Sequence, residues 1–306
     1  MGSHLAEGFE DAGNEERAAV LLPSASAHAG GLSFFLDGTP AGSPAKVPGA
    51  SQSVEPMLYA RHSLGRGRQK QKNLITLAQA TTLPGKHSAF VVLSESSEAV
   101  LTLGHEADMI NVPLWRGLLM DLARDCGLRV AHTKTAQISG EQMLFTERVD
   151  RDESGEVLTL SARTLSPSYT ATWLGMADIL NADGTAPTED LPELWRRMVF
   201  ILLTGSETSG AKWLFYRTDL GWRIAKTHGF SPQTGAPRPM TVDGRRTLTS
   251  IEDAIALCRY FGLTLRDAKT TALSMRRSIA DWQDRALALG ADPGEIEILR
   301  PGFEAM

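Results

Sequence analysis

Apolar positions follow two regimes along this chain. Up to about residue 165 they come in short runs separated by Gly, Pro and Ser, and beyond it they recur at helical spacing. The runs Asn73–Leu77, Ala89–Leu93, Ala99–Leu103 and Gln142–Arg148 predict strands. Short apolar or β-branched stretches bounded by turn formers suit a pleated segment. One helix interrupts them. Leu114, Leu118, Leu119, Leu122 and Cys126 share one helical face, and Gly127 supplies a stop.

From about residue 168 the pattern is helical. Thr188 or Asp190 is placed to cap a helix carrying Leu191, Leu194, Met198 and Leu202, ending before Gly205. Ser250 and Asp253 have the spacing of a capping box that opens a helix to Phe261, with Gly262 as its stop. Leu265, Ala268, Ala272, Met275, Ile279, Trp282, Ala286 and Leu289 alternate steps of three and four, which predicts one long helix with a single buried stripe. Gly290 ends it, and Asp292-Pro293 opens a final short helix. The expected class is therefore α+β: a β-rich lobe over 57–165, then an α-helical lobe over 166–306. Residues 1–56 are rich in Ala, Gly, Ser and Pro. They read as a shortened, irregular N-terminal segment with two apolar runs, Ala18–Leu22 and Leu32–Leu36.

Composition narrows the function classes. A net charge of -5 over 306 residues gives no global attraction to DNA or anionic membranes. No apolar run approaches the roughly 18 residues of a membrane span. The start of the chain is acidic without an apolar core, unlike a secretory signal. The two cysteines, Cys126 and Cys258, have no zinc or redox spacing and read as small buried hydrophobes. Sparse cysteine fits a cytoplasmic protein. Arg66, Arg68, Lys70 and Lys72 form the densest basic cluster, suited to a phosphate cradle or to a solvated turn. No aromatic residues interleave with it, so direct nucleic-acid binding is not expected. His228 reads as a polar loop residue. Trp195, Trp222 and Trp282 read as core. Trp213, beside a polar loop, reads as a plug or a partner anchor.

Five segments in order resemble the HipA-like Ser/Thr kinases, the toxin halves of HipBA-type toxin–antitoxin modules. Ser63–Lys70 (S-L-G-R-G-R-Q-K) is similar to the family's phosphate loop, S-L-G-G-A-R-P-K. Glu147–Arg151 (E-R-V-D-R) is similar to its E-R-F-D-R hinge strand. Glu193–Phe200 resembles the helix that leads into the catalytic loop, and Gly221–Ile224 the approach to the metal-binding segment. Phe261–Leu263, the Trp282 helix and Ala288–Gly290 resemble the C-terminal helices. The resemblance covers about residues 57–305. It implies a bilobal, protein-kinase-like HipA fold with a shortened N-terminal region.

The resemblance also implies where the chemistry should stand. Phosphoryl transfer needs a basic phosphate holder, a carboxylate to orient the attacking hydroxyl, and an Asn and an Asp for magnesium. A strand like W-I-A-K-F-P matches Phe90–Ser94, so Leu93 takes the lysine position. A loop like G-N-T-D-D-H-x-R-N-H matches Gly205–Leu214. The expected base then falls on Thr208, the loop His on Gly210 and the metal-binding Asn on Trp213, while Lys212 keeps a basic character. The metal-binding Asp falls on Gly229, with Lys226 and His228 before it. Three segments have thus lost their charged centres, which implies a pseudokinase acting through a protein partner, a toxin–antitoxin component or another kinase. Weak ATP contact without magnesium through Gly65, Gly67, Arg68, Lys70, Glu147 and Val149 is consistent with it. The alternative is an atypical ATP-dependent kinase in which Glu207 or Asp219 supplies the missing carboxylate.

Overall fold

The computed structural model describes residues 35–36, 39–40, 54–55, 58–59, 89–94, 97–105, 107–152, 155–166, 171–206, 213–235 and 238–304. The expected strand Asn73–Leu77, the basic loop, and Gly65, Gly67, Arg68, Lys70, Glu207, Thr208, Gly210 and Lys212 lie outside them. The chain divides into two compact units. The first takes residues up to Glu106 together with His132–Glu156, and the second takes Ala107–Ala131 together with Val157 onward.

The first unit is built on an antiparallel sheet. Strands β1 (Phe35–Leu36) and β2 (Thr39–Pro40) form a small hairpin. The main sheet runs β3 (Ala89–Ser94), β4 (Ser97–Leu103), β6 (Glu141–Glu147) and β5 (Thr133–Ile138), in that spatial order. Register places Leu101 opposite Phe145 and Leu103 opposite Met143. Alternation puts these four on one face, where they pack with Val54 and Leu58. Four successive residues of β6, Met143–Thr146, are buried, so both faces of the sheet centre are covered. Strand β5 was not expected from the sequence. It is an edge strand with Lys134, Thr135 and Gln137 exposed, so its apolar signal is weak. Its turn is Ser139-Gly140, both at positive φ (52° and 81°), the backbone of a two-residue hairpin turn. Strands β7 (Arg151–Asp152) and β8 (Gly155–Glu156) close this unit.

The second unit is mostly helical. Its elements are α1 (Val112–Asp125), β9 (Thr159–Ser161), α2 (Ala162–Leu165), α3 (Trp173–Asp183), α4 (Pro187–Thr204), β10 (Leu214–Arg217) and β11 (Trp222–Ile224). Then come β12 (Met240–Thr241), β13 (Thr247–Leu248), α5 (Ile251–Ala256), a 3₁₀ turn (Cys258–Phe261), α6 (Leu265–Ser278), α7 (Trp282–Ala288) and α8 (Pro293–Glu304). The helix expected inside the β-rich segment, α1, groups with this unit. Helix α4 is its centre. Leu194, Trp195, Met198, Val199 and Phe200 are fully buried, and the Trp195 indole N–H donates to the Ala254 carbonyl. Both cysteines are buried and free, and burial pushes the Cys126 thiol up to about 12.

Several expected details differ. Helix α4 starts at Pro187 without a side-chain cap, because its N-cap position is Ala186; Thr188 and Asp190 lie inside the helix, and Asp190 turns inward to bind arginines. The capping box at Ser250 and Asp253 forms, but the helix tightens into a 3₁₀ turn before Gly262. The long C-terminal stripe is two helices. The chain breaks after Ser278 and restarts at Trp282, and Leu265 and Leu289 are exposed. The break turns Trp282 onto Phe303, with the rings stacked at 4.1 Å.

Candidate functional site

The most densely charged region lies along α4 inside the helical unit. Asp190, Glu193 and Arg197 are each fully buried. Asp190 accepts from Arg129, from both Arg223 Nε (2.7 Å) and Nη2 (3.1 Å), and from the Ile224 amide at 3.2 Å. Glu193 accepts from Arg197 Nε at 2.8 Å, Arg196 at 3.0 Å and the Arg129 amide at 3.0 Å. Arg197 Nη2 donates to the Ala225 carbonyl at 2.7 Å, and its guanidinium lies 5.2 Å from the Trp213 ring centre. Burial pushes Glu193 upward. The charges of Arg197 and Arg196, with the donors aimed at it, more than reverse this and hold the carboxyl below its ordinary value. Hydrogen-bonded donors surround both carboxylates, so this network ties α4 to the segments after α1 and around β11. It presents no free base.

Those same segments carry the expected metal-binding position. After α1, Val130 forms a parallel bridge with Thr227. The Thr227 amide donates to the Arg129 carbonyl and the Ala131 amide donates to the Thr227 carbonyl, each at 2.8 Å. This pairing brings α1 beside residue 229. At Gly229 an added Cβ would stand 2.5 Å from Arg116 Nη2. The guanidinium of Arg116, on α1, thus fills the space in which a side chain at 229 would begin. Burial lowers Arg116 to about 10, which leaves it cationic at neutral pH. Lys226 is exposed and His228 half-buried in the same stretch.

Of the two roles expected for Trp213, plug or partner anchor, burial speaks against an exposed anchor. It is 2% exposed, edge-on to Trp173 at 5.6 Å and to Phe230 at 6.2 Å, with Phe230 in turn 4.7 Å from Phe200. An aromatic core of the helical unit has absorbed it, so it is no exposed partner anchor. Trp222, expected in the core, is only half-buried, with Arg217 lying 5.4 Å over its ring.

In the sheet unit, Leu93 lies on β3 opposite Glu98. Glu147 ends β6. Its amide donates to the His132 carbonyl at 2.8 Å, and its carboxylate accepts from the His132 amide at 3.0 Å. Val149 is half-buried just beyond. The neighbouring charges are structural. Arg148 forks onto both oxygens of Asp150 (2.9 and 2.7 Å) and reaches Glu98 at 2.9 Å, while Arg151 contacts Asp150 and Glu98. Asp219 sits exposed in the turn between β10 and β11. The structure therefore brings Trp213 and Gly229 into the helical unit and places Leu93, Glu147 and Val149 in the sheet unit.

Magnesium does not fit the residues at the two expected ligand positions described. Trp213 offers an apolar, buried ring, Gly229 has no side chain, and the nearest group to Gly229 is a cation. Among the described residues no group of three or more His, Cys, Asp or Glu is arranged to hold a metal ion. Sequence reasoning missed Arg116 and the charged faces of α4. The arginine's meeting with Gly229 has no sequence signal, because 113 positions separate them. The three-residue spacings of Asp190, Glu193 and Arg196 look like an ordinary solvated helix face.

Comparison with known proteins gives a family model and structural neighbours. The model of the HipA-like C-terminal domain matches residues 115–283. The HipA chain of a Shewanella oneidensis MR-1 complex of HipA, HipB and operator DNA superposes with a TM-score of 0.55 at 11% identity. The match covers 74% of this chain and 63% of that one. The Helicobacter pylori proinflammatory kinase CtkA matches at a TM-score of 0.47 and 11% identity, over 73% of this chain and 92% of that one. No curated protein matches in sequence. No helix among the described residues is long and apolar enough to cross a membrane. With a family model spanning more than half its length, and with the α+β arrangement of a HipA kinase fold, this chain belongs to the HipA-like family.

Proposed function

We propose that this chain is a catalytically degenerate HipA-like protein, a pseudokinase that acts by binding a protein partner in a toxin–antitoxin setting. One observation carries the reading: Arg116 stands against Gly229 where the family's metal-binding carboxylate is expected. Phosphoryl transfer is achieved almost wholly by positioning and electrostatic stabilisation. A guanidinium in place of a carboxylate reverses the sign of the local field, and two like charges a few ångströms apart in a partly buried site repel strongly. The buried Trp213 supports the same conclusion, since an indole ring supplies no oxygen for a metal. The basic groups that remain, among them Arg68 and Lys70, suit direct contact with nucleotide phosphate in the absence of magnesium. The Shewanella structure contains HipB and operator DNA, and this chain spans 63% of that HipA. A partner from a toxin–antitoxin system is the reading by analogy, with fold as its warrant.

The test is a direct one. ATP binding is measured with and without magnesium by calorimetry or thermal shift, and γ-phosphate transfer is measured to the chain itself and to a protein substrate. The expected result is no magnesium-dependent transfer, and no effect of Glu207→Gln or Asp219→Asn on the background. Transfer that requires magnesium and is abolished by either substitution overturns the pseudokinase reading in favour of an atypical kinase.

A further inference from the structure

Helix α6 carries a surface that neither its fold nor the kinase site explains. It buries only Ala268, Ala272 and Met275. On the opposite side Arg266, Lys269, Leu273 and Arg277 follow one another at steps of three and four, so they form a continuous outward stripe. Leu273 is 51% exposed at its centre, Leu265 is 51% exposed at its start, and Tyr260 just before the helix is 57% exposed. The cations are uncompensated. Arg266, Lys269 and Arg277 are exposed and make no ion pair with a described residue. Elsewhere in the unit, Arg124, Arg129, Arg197, Arg223, Arg285 and Arg300 each face a carboxylate. The single carboxylate of α6, Asp267, is engaged at the helix start, accepting from the Thr264 hydroxyl at 2.6 Å.

Such a face opposes the helix's own stability. Like charges three residues apart, as at Arg266 and Lys269, are unfavourable on an isolated helix. Exposed leucines gain nothing from water. An apolar centre rimmed by cations is instead the anatomy of a binding surface, and its local positive charge selects an acidic partner even though the chain as a whole carries a net charge of -5.

We propose that α6 docks an acidic amphipathic helix of a protein partner, with its apolar stripe on Leu273 and Leu265 and its carboxylates on Arg266, Lys269 and Arg277. A protein helix accounts for both features of the face. Contacts to a nucleic-acid backbone come from cations and hydrogen-bond donors, and a half-exposed leucine at the centre adds nothing to them. The eight-residue step between the two leucines spans about 12 Å along the axis. At 3.6 residues per turn the two leucines also stand about 80° apart around the axis, so a partner helix that crosses α6 obliquely meets both.

The experiment uses the full chain and fluorescence anisotropy with three labelled probes. The first is a peptide of about 18 residues, long enough to form helix, with leucines at every third or fourth position and glutamates beside them. The second has the same composition scrambled, and the third is a short DNA duplex. The amphipathic peptide is expected to bind at least about tenfold more tightly than the scrambled one. Arg266→Glu combined with Arg277→Glu is expected to weaken it at least about tenfold, and Leu273→Ser several-fold. All these positions are exposed, so melting temperatures should stay near that of the parent. The proposal is overturned if the peptide fails to bind, if charge reversal leaves its affinity unchanged, or if Leu273→Ser has no effect while the duplex binds more tightly. The last outcome would make α6 a general polyanion surface. ATP binding serves as an internal control that α6 variants should leave alone, which keeps this result separate from the fate of the pseudokinase reading.

Discussion

At residue 229 the absent Cβ and the Arg116 guanidinium occupy one another's space, so the two positions should respond to mutation as a unit. Gly229→Ala places a methyl 2.5 Å from Arg116 Nη2 and forces that arginine to move. The expected loss is about 1–2 kcal/mol, of the size of other core overpacking. In an Arg116→Ala background the same change should cost almost nothing, which a double-mutant cycle in urea measures directly. Glu193 offers a second residue-scale test. Its carboxyl is held below its ordinary value and is fully buried against Arg197. A depressed carboxyl contributes stability that is complete above the unfolded value of about 4.3 and is lost as pH falls through the lower folded value. Stability should therefore decline from about pH 4 downward, and Glu193→Gln should remove part of that slope. At neutral pH the same variant should lose about 3 kcal/mol, because Arg197 is left buried without its counter-charge. Denaturant titrations across the acid range check both.

The end of α4 touches α8 closely. Gly205 closes α4 with φ of +58°, a left-handed conformation that glycine tolerates best. A Cβ there would also run into the backbone of Gly302 on α8. Gly205→Ala should cost about 3 kcal/mol, combining backbone strain with the clash. Gly302→Ala, whose Cβ would meet the Thr204 carbonyl at 3.0 Å, should cost less. Chemical denaturation of the two variants separates them. The start of α5 gives a milder case. Ser250 and Asp253 satisfy each other's backbone amides, and Ser250→Ala should cost about 1 kcal/mol. Helix ends such as these were readable in advance: Gly127, Gly205, Gly262 and Gly290 all adopt the expected left-handed backbone. The break between α6 and α7 was not. The apolar steps of three and four continue through Ile279, and the change of direction there goes with the packing of Trp282 on Phe303 and Trp115, which lie on other elements.

For the molecule as a whole, the helical unit is assembled from two stretches of chain. Ala107–Ala131 precedes the last strands of the sheet unit in sequence but belongs with the helices. It contributes Trp115, Leu118, Leu119 and Leu122, each buried to 2% exposure or less. It is also tied to α8, since Glu295 accepts from the Asn111 amide and from the Trp115 indole. A fragment of residues 157–304 should therefore fail to fold cooperatively. Loss of several large core side chains at about 3–5 kcal/mol each exceeds the usual stability of a domain. Circular dichroism melts of this fragment, compared with one that begins at residue 107, decide the point.

Local order was legible in the sequence because local order is set within a few residues. The glycine stops, the capping box and the short apolar runs of β4 and β6 each depend on backbone hydrogen bonds and side-chain directions inside one element. The kinase resemblance was legible for a related reason, since its motifs are short contiguous segments. The residues that the resemblance sets at the expected catalytic positions, Trp213 and Gly229 among them, could be named without coordinates. Environment was not legible. Asp190, Glu193 and Arg197 have the spacing of solvated helix charges, and only the packing of α4 at the centre of its unit makes them a buried network. Nothing in the sequence joins Arg116 to Gly229 either. The bridge between Val130 and Thr227 does so, pairing segments nearly a hundred residues apart. The sequence by itself thus determined where most helices stop, where the runs of β4 and β6 lie, and which residues fall at the positions where the family's catalytic side chains are expected. The tertiary structure decided what surrounds those positions, because which distant surfaces meet depends on the whole set of packed elements rather than on any one of them.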